Sequence, residues 1–263
     1  MEASIKIQRP SFDCLEKKYK EISEFDIKIY EKRKKDLYNE LYKWAKNQGK
    51  SDELAHEFAK NESLWLVSIE FAEKQVGGKA EELFNSDQRA YVNICALRIS
   101  YALNHSTHPI NTMDKQVAGR GYQGKDKQTY YLGVFDITKL LKLNWKELSW
   151  KKSTYTQIIE KIKCGCSEDF YTSMNSKKEN ENFFEELQSI QRKGVVAMIG
   201  TDGLRHTTLW NGNDFVDTSL GISADFLNHS AYIIRELYFW DLLQGVSVKK
   251  FILQYLVMSH TLI

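Results

Sequence analysis

A cysteine at the start of a predicted helix is the first residue of this sequence suited to chemistry. Cys95 lies in the segment NICALRISYAL, where apolar residues recur at helical spacing directly after a turn-prone stretch. The unpaired N–H groups at a helix N-terminus and the positive end of the helix dipole stabilise a thiolate, the nucleophilic form of cysteine. The segment therefore predicts a reactive Cys95, although a small buried core residue fits it as well.

A histidine and an aspartate in the second half of the chain could complete a catalytic set. Asn211-Gly212 lies between two alternating runs, which predicts a two-residue hairpin loop with both residues in the left-handed region. In that register His206 lies directly opposite Asp217, with Cβ atoms about 4.5–5.5 Å apart, and Asp214 points away. The pattern predicts that Asp217 orients His206 and favours its protonated form. A structural strand histidine fits equally well.

Three other groups of residues offer weaker chemistry. Cys164-x-Cys166 has no second pair and no nearby histidine, so a redox role or an ordinary loop fits better than a zinc site. His105 and His108 come at the end of the predicted Cys95 helix, where a cation or a turn residue is usual. The segment AGRGYQG at 118–124 lacks a complete phosphate-binding pattern. We expect neither a metal nor a cofactor.

The elements before Cys95 are predicted to be helical. Between about residues 21 and 75 the chain is rich in Lys and Glu, contains no proline, and repeats its apolar residues every three or four positions. This pattern predicts two or three amphipathic helices. Gly49 is expected to end the first, Ser51 or Asp52 to cap the second, and a break is expected near Asn61. Gly77-Gly78 is expected to break the helical pattern.

The second half alternates between predicted strands, turns and short helices. Branched and aromatic runs predict strands, a polar stretch predicts a surface loop, and one apolar segment predicts a short helix. The predicted strands are Thr129–Phe135, Val195–Ile199, His206–Trp210 and Phe215–Thr218; the helix is Ile137–Leu143 and the loop is Ser167–Glu181. The last two strands form the predicted hairpin, so we expect an antiparallel sheet.

Composition gives no support to several classes of protein. The 263 residues carry a net charge of +2, too small to indicate a nucleic-acid or membrane-surface partner. No apolar run approaches the roughly 20 residues of a membrane-spanning helix, and Phe251–Ile263 is too short. The N-terminus does not resemble a Sec signal peptide, so we expect synthesis in the cytoplasm. Four cysteines are too few for a disulfide scaffold.

Several segments, in order, resemble one protein family. NICALRISYALN at 93–104 is similar to its nucleophile helix, and His206 followed by Leu209-Trp210-Asn211-Gly212 is similar to its histidine motif. Shorter similarities occur at 9–12, at 76–79 and at 238–240. The resemblance covers Arg9–Tyr19 and about Val76–Leu242. The family is the fourth group of type VI secretion amidase effectors, papain-like peptidoglycan hydrolases related to NlpC-type cysteine peptidases.

The resemblance implies an α+β, papain-like fold with an antiparallel sheet and a nucleophile helix. It implies a DL-endopeptidase that cuts the γ-D-glutamyl to meso-diaminopimelate bond of peptidoglycan stem peptides. Cys95 would be the nucleophile, His206 the base and Asp217 the acid. Separately from the resemblance, the Cys95 N–H at the helix N-terminus is the expected donor to the oxyanion, with Asn93 or Tyr91 as the candidate second donor. Such an effector leaves the producing cell through the secretion machinery, acts in the periplasm of a target cell, and has a cognate immunity protein.

The spread of the candidate residues from Cys95 to Asp217 predicts one domain over 1–263. The segment of about 21–75 exceeds the family's usual spacer and is interpreted as a helical insertion, and about 243–263 is an additional tail. Two alternatives stay open. One is another papain-like reaction, such as an N-acetylmuramoyl-alanine amidase, a protease or an acyltransferase. The other is an inactive binding protein on the same fold, with the helical insertion as its docking surface.

Overall fold

Helices dominate the first half of the chain, and strands form a sheet in the second. The computed structural model describes residues 9–88, 93–116, 119–145, 170–189, 191–217 and 232–242. The helices are α1 (Phe12–Glu21), α2 (Ile27–Asn47), α3 (Asp52–Val76), α4 (Gly78–Ser86), α5 (Cys95–Asn104), α6 (Val134–Trp145) and α7 (Lys177–Ser189). The strands are β1 (Gly121–Gln123), β2 (Thr129–Tyr131), β3 (Phe170–Ser173), β4 (Gly194–Gly200), β5 (Arg205–Trp210) and β6 (Ile234–Asp241).

The predicted amphipathic helices are confirmed as α2 and α3, which pack against each other. Gly49 has φ +80° in the connection between them, and the Ser51 hydroxyl caps α3 by accepting the N–H of Leu54 at 3.3 Å. The break expected near Asn61 is absent, and that prediction is wrong. Asn61 is exposed on the helix surface, while Ser63, Val67 and Ile69 are buried, so its polar side chain does not compete with the helical backbone.

The glycine pair after α3 turns the chain and allows the segment at 123–125 to pack closely against it. Gly77 and Gly78 have φ +67° and +61°, and Gly77 ends α3 and begins α4. A Cβ atom on Gly78 would lie 2.6 Å from the carbonyl oxygen of Gln123. The Lys125 N–H donates to the Val76 carbonyl at 3.1 Å, so the turn after β1 packs directly on this corner. The predicted break in the helical pattern is confirmed, although a further helix, α4, follows it directly.

A four-stranded antiparallel sheet in the order β3-β6-β4-β5 separates two apolar cores. Val195 and Ala197 of β4 belong to the core that includes α1, α5 and α6. Val196 and Met198 belong to the core on the other side, which includes α7. The alternation gives β4 two buried faces, as expected for a central strand. A third core joins α3 and α4 to α5, so α5 is enclosed on all sides.

Two predicted elements next to β2 and α7 differ from the structure. Strand β2 ends at Tyr131 and α6 begins at Val134, because the Gly133 carbonyl accepts the N–H groups of Asp136 and Ile137, both at 3.1 Å. The branched and aromatic residues up to Phe135 predicted a longer strand, but the last of them form the first turn of α6 instead. The loop predicted for Ser167–Glu181 is also wrong within the described residues. It contains β3 and the first turns of α7, whose buried aromatic residues begin just after position 181.

Some predictions fall on residues outside the described ranges. Tyr91, Cys164, Cys166, residue 218 and the tail from residue 243 are in this group. Among the helices that the structure describes, every one is too short or too polar to cross a lipid bilayer. Within the same ranges, no cluster of three or more histidine, cysteine, aspartate or glutamate side chains has the arrangement of a metal site.

Candidate active site

Cys95 is the first residue of α5, at the position its sequence context predicted. The helix packs between the first core and the third, and every residue from Cys95 to Asn104 is buried. The Cys95 side chain is reached by little solvent, since the residue is 4% exposed. The thiol therefore lies at a helix N-terminus, where the dipole and the unpaired N–H groups favour negative charge.

His206 and Asp217 are in direct contact, so the predicted pairing of these two side chains is confirmed. Nε2 of His206 lies 2.7 Å from Oδ2 of Asp217. The carboxylate is completely buried, and the histidine side chain is 12% exposed. The side chain of His206 also hydrogen-bonds the side chain of Cys95. The structure thus brings Cys95, His206 and Asp217 into one hydrogen-bonded series.

The hairpin register that predicted this contact is wrong. Trp210 bridges to Phe215, so the connection is Asn211–Asp214 and not a two-residue loop. The Asn211 side chain makes the turn, because its Oδ1 accepts the N–H groups of Asn213 and Asp214, both at 2.9 Å. Among these four residues Gly212 alone has a positive φ, +102°. Asp214 remains in the turn, where its Oδ1 accepts the N–H of Phe215.

The strand predicted for Phe215–Thr218 is also absent within the described residues. Phe215 makes a single bridge, and Val216 and Asp217 then form a tight helical turn. Asp217 reaches His206 because the chain turns inward after the bridge, not because the two residues face each other across a ladder. The correct residue was therefore predicted for an incorrect geometric reason.

Two residues that sequence reasoning missed complete the surroundings of Asp217. Tyr19 of α1 donates its hydroxyl to Oδ1 of Asp217 at 2.7 Å, and Nη1 of Arg98 lies 3.6 Å from the same oxygen. Burial raises the pKa of Asp217, but His206, Tyr19 and Arg98 together lower it below its ordinary value. One signal was available, because Arg98 is the sole charged residue in the apolar segment NICALRISYAL.

The electrostatics of the series favour a charged histidine. Burial by itself lowers the pKa of His206, but the negative charges of Cys95 and Asp217 and its hydrogen bonds to both raise that pKa above its usual range. A histidine that holds its proton beside a cysteine thiol stabilises the thiolate. The arrangement therefore places a positively charged imidazole beside the cysteine side chain.

Asn93 links the cysteine to the histidine strand. Its Oδ1 accepts the backbone N–H of Cys95 at 3.3 Å, and its Nδ2 donates to the carbonyl of Arg205 at 3.1 Å. Arg205 directly precedes His206, so one exposed amide connects the backbones on either side of the candidate site. The other predicted oxyanion residue, Tyr91, lies outside the described residues.

Among the described residues, the remaining candidates have other partners than Cys95. His105 follows the last residue of α5, and its Nε2 lies 3.3 Å from the Tyr130 hydroxyl and 3.6 Å from a carboxylate oxygen of Asp126. His108 Nδ1 lies 2.8 Å from the hydroxyl of Thr107. The glycine-rich segment forms β1 and the turn after it, without leading into a helix N-terminus. These groups do not join the cysteine series.

The chain shares its fold with a solved structure. No protein-family model matches the sequence, and no curated protein matches it. The crystal structure of the type VI effector Tae4 from Enterobacter cloacae is similar at 20% sequence identity and a TM-score of 0.50, over 89% of this chain and 98% of that one. Two effector–immunity complexes, Tae4–Tai4 from Enterobacter cloacae and from Salmonella Typhimurium, give 18% identity with a TM-score of 0.49 and 15% with 0.48. Each covers 89% of this chain and 99% of the other.

Proposed function

We propose that this chain is a cysteine amidase of bacterial peptidoglycan and a type VI secretion effector. The observation that carries the proposal is the hydrogen-bonded series from Cys95 through His206 to Asp217, with the thiol at the N-terminus of a buried helix. The motif resemblance around 93–104 and 206–212 supports the family, and the fold shared with the Enterobacter effector agrees with it. We also propose one domain over 1–263, with α2 and α3 as an insertion.

The reaction begins when the Cys95 thiolate attacks the carbonyl carbon of the scissile amide. A carbon–sulfur bond forms and the carbonyl electron pair moves to oxygen; the C–N bond then breaks as His206 protonates the leaving amine. Water next attacks the acyl-enzyme, with His206 now accepting its proton, and the thiolate leaves. Because Asp217 occupies Nε2 of His206, Nδ1 is the nitrogen that exchanges protons with the sulfur and the substrate.

The backbone N–H of Cys95 is the proposed donor to the developing oxyanion. It donates to Oδ1 of Asn93 at 3.3 Å, a long bond that the substrate oxygen would replace. Donors fixed at the position of the developing charge stabilise the transition state more than the ground state. The second donor is proposed to come from Asn93 or Tyr91.

The proposed substrate is the γ-D-glutamyl to meso-diaminopimelate bond of stem peptides, which follows from the family resemblance. The chain would be made in a bacterial cytoplasm, exported by the secretion machinery, and act in the periplasm of a target cell. A cognate immunity protein would protect the producing cell. Neither a metal nor a cofactor takes part in the proposed reaction.

Digestion of purified sacculi tests the proposal. Mass spectrometry of the released muropeptides should show cleavage after D-glutamate by the wild type and none by Cys95→Ala. Cys14→Ala is the matched control, because Cys14 is a second unpaired cysteine on α1 and should leave the products unchanged. Equal cleavage by Cys95→Ala would refute the cysteine mechanism. Cleavage at another bond would refute the proposed substrate.

A further inference from the structure

We propose that Tyr19 and Arg98 are positioning residues, which hold one carboxylate oxygen of Asp217 so that the other stays on His206. The inference rests on the proposed cysteine chemistry and extends its active site to α1 and to the middle of α5. It makes Asp217 the centre of a buried network of which the Cys95–His206 pair is the outer part.

Each carboxylate oxygen of Asp217 has its own partners. Oδ2 is held by Nε2 of His206 at 2.7 Å. Oδ1 accepts the hydroxyl of Tyr19 at 2.7 Å and lies 3.6 Å from Nη1 of Arg98. Rotation of the carboxylate would break the contacts on both oxygens in a completely buried environment. The orientation of His206 therefore depends on groups that do not touch it.

The side chains of Tyr19 and Arg98 are buried together with the carboxylate of Asp217. Tyr19 is 0% exposed and Arg98 is 6% exposed. Among the described residues, Asp217 is the one ion-pair partner of Arg98, and Nε of Arg98 has no hydrogen-bond partner there. A buried guanidinium is costly unless a negative charge compensates it. The positive charge of Arg98 therefore compensates the negative charge of Asp217.

Charge balance gives Arg98 a chemical role beyond packing. With the thiolate–imidazolium pair formed, Cys95 and Asp217 are negative while His206 and Arg98 are positive, so the buried site is neutral. Removal of Arg98 would leave a net negative charge, and Asp217 would take up a proton at a higher pH. A neutral Asp217 stabilises the imidazolium less, and the thiolate becomes rarer.

Tyr19 contributes a donor that stays protonated. Burial, and then the charge of Asp217, raise the pKa of Tyr19 well above its ordinary value, so the hydroxyl keeps its proton throughout the working range of the site. The same hydroxyl also lies 3.3 Å from Oγ1 of Thr208, two residues beyond His206 on β5. Tyr19 thus joins α1, β5 and the acid in one contact.

The test measures the rate at which iodoacetamide alkylates Cys95, followed by mass spectrometry of its peptide across a range of pH. This readout needs no peptidoglycan. Tyr19→Phe and Arg98→Met should each react about 10-fold more slowly than the wild type at about pH 6, because the first loses a hydrogen bond to Asp217 and the second loses an ion pair with it. In Arg98→Met the onset of reactivity should also move to higher pH, and Arg98→Lys should restore it.

Two further variants separate positioning from packing. Tyr101→Phe is the matched control, because Tyr101 is a buried tyrosine on α5 whose hydroxyl contacts Glu21 of α1 at the far end of the helix, and its rate should be unchanged. In the Asp217→Asn background, Tyr19→Phe should have less than about a 2-fold effect, since residues acting through one group are not additive. An equal loss in both backgrounds would overturn the inference.

Failure of the inference and failure of the proposed function have different signatures. If Cys95 of the wild type reacts no faster than Cys14, the cysteine chemistry fails and the inference fails with it. If wild-type Cys95 is reactive but all the Tyr19 and Arg98 variants match it, the inference alone is overturned. Thermal denaturation checks folding, and Tyr19→Phe in the two backgrounds decides the matter if Arg98→Met does not fold.

Discussion

An unpaired carboxyl in the last turns of α3 predicts a stability that depends on pH. Glu73 is 1% exposed, and neither of its carboxylate oxygens has a hydrogen-bond partner among the described residues. Burial first, and the negative charge of Glu81 second, raise the pKa of Glu73 to about 8. The side chain is therefore neutral in the folded protein at neutral pH but ionised in the unfolded chain.

The free energy of unfolding should fall as the pH rises through this range. Between the pKa of an unfolded glutamate, about 4.3, and the folded value, the unfolded chain has released a proton that the folded protein keeps, so the unfolded state gains stability with pH. At about 1.4 kcal/mol per pKa unit, the loss is about 2–3 kcal/mol between about pH 5 and pH 7, and about 4 kcal/mol by about pH 9. Above the folded pKa the loss levels off.

Urea denaturation of the wild type and Glu73→Gln at about pH 5, 7 and 9 measures this loss. The variant keeps the size of the side chain and cannot ionise, so the difference in unfolding free energy between the two proteins should change by the amounts above. Glu57→Gln, an exposed position on the same helix, should leave the pH dependence unchanged. The reasoning is refuted if the wild type and Glu73→Gln lose stability in parallel as the pH rises.

Two further predictions concern the site and the glycine corner. Asp217→Asn should lower the rate of stem-peptide cleavage by about 100-fold or more, because His206 loses its buried carboxylate, while Asp214→Asn stays within about 2-fold. Equal losses in the two would contradict the assignment of Asp217. Gly78→Ala should lower the unfolding free energy by more than the roughly 1 kcal/mol expected for Gly49→Ala, since both have a positive φ but only Gly78 would clash with a backbone carbonyl. Equal melting temperatures for Gly78→Ala and Gly49→Ala would contradict the predicted clash at Gly78.

Elements whose determinants are local were predictable from the sequence. The end of α2 follows from Gly49 and the start of α3 follows from Ser51, because each acts on the backbone within three residues of itself. The start of α5 follows from a change in apolar periodicity, and its burial follows from the apolar character of its whole length. Local chemistry of this kind does not depend on the rest of the fold.

The turn after β5 was not predictable, because packing decides between two local solutions. Asn211-Gly212 suits a two-residue loop, but an asparagine side chain can also build a longer turn from its own carbonyl. Phe184 of α7 contacts both Trp210 and Phe215 with ring centroids 5.3 Å apart, and those two rings lie 5.2 Å from each other. This aromatic cluster places Trp210 opposite Phe215. The sequence around the turn does not indicate the contact with Phe184, because that residue lies on a separate helix.

The contacts of Tyr19 and Arg98 with Asp217 join residues that are far apart in the sequence. Tyr19 and Asp217 are 198 residues apart, and nothing near either residue indicates the other. Arg98 is different, since a charged residue in a helix buried on all sides requires a compensating charge within the same core. A lone arginine three residues after a candidate nucleophile therefore predicts a buried carboxylate beside it. That constraint depends on the burial of α5 and not on hairpin register, so it would have led to a buried acid near Cys95 even though the predicted strand pairing is wrong.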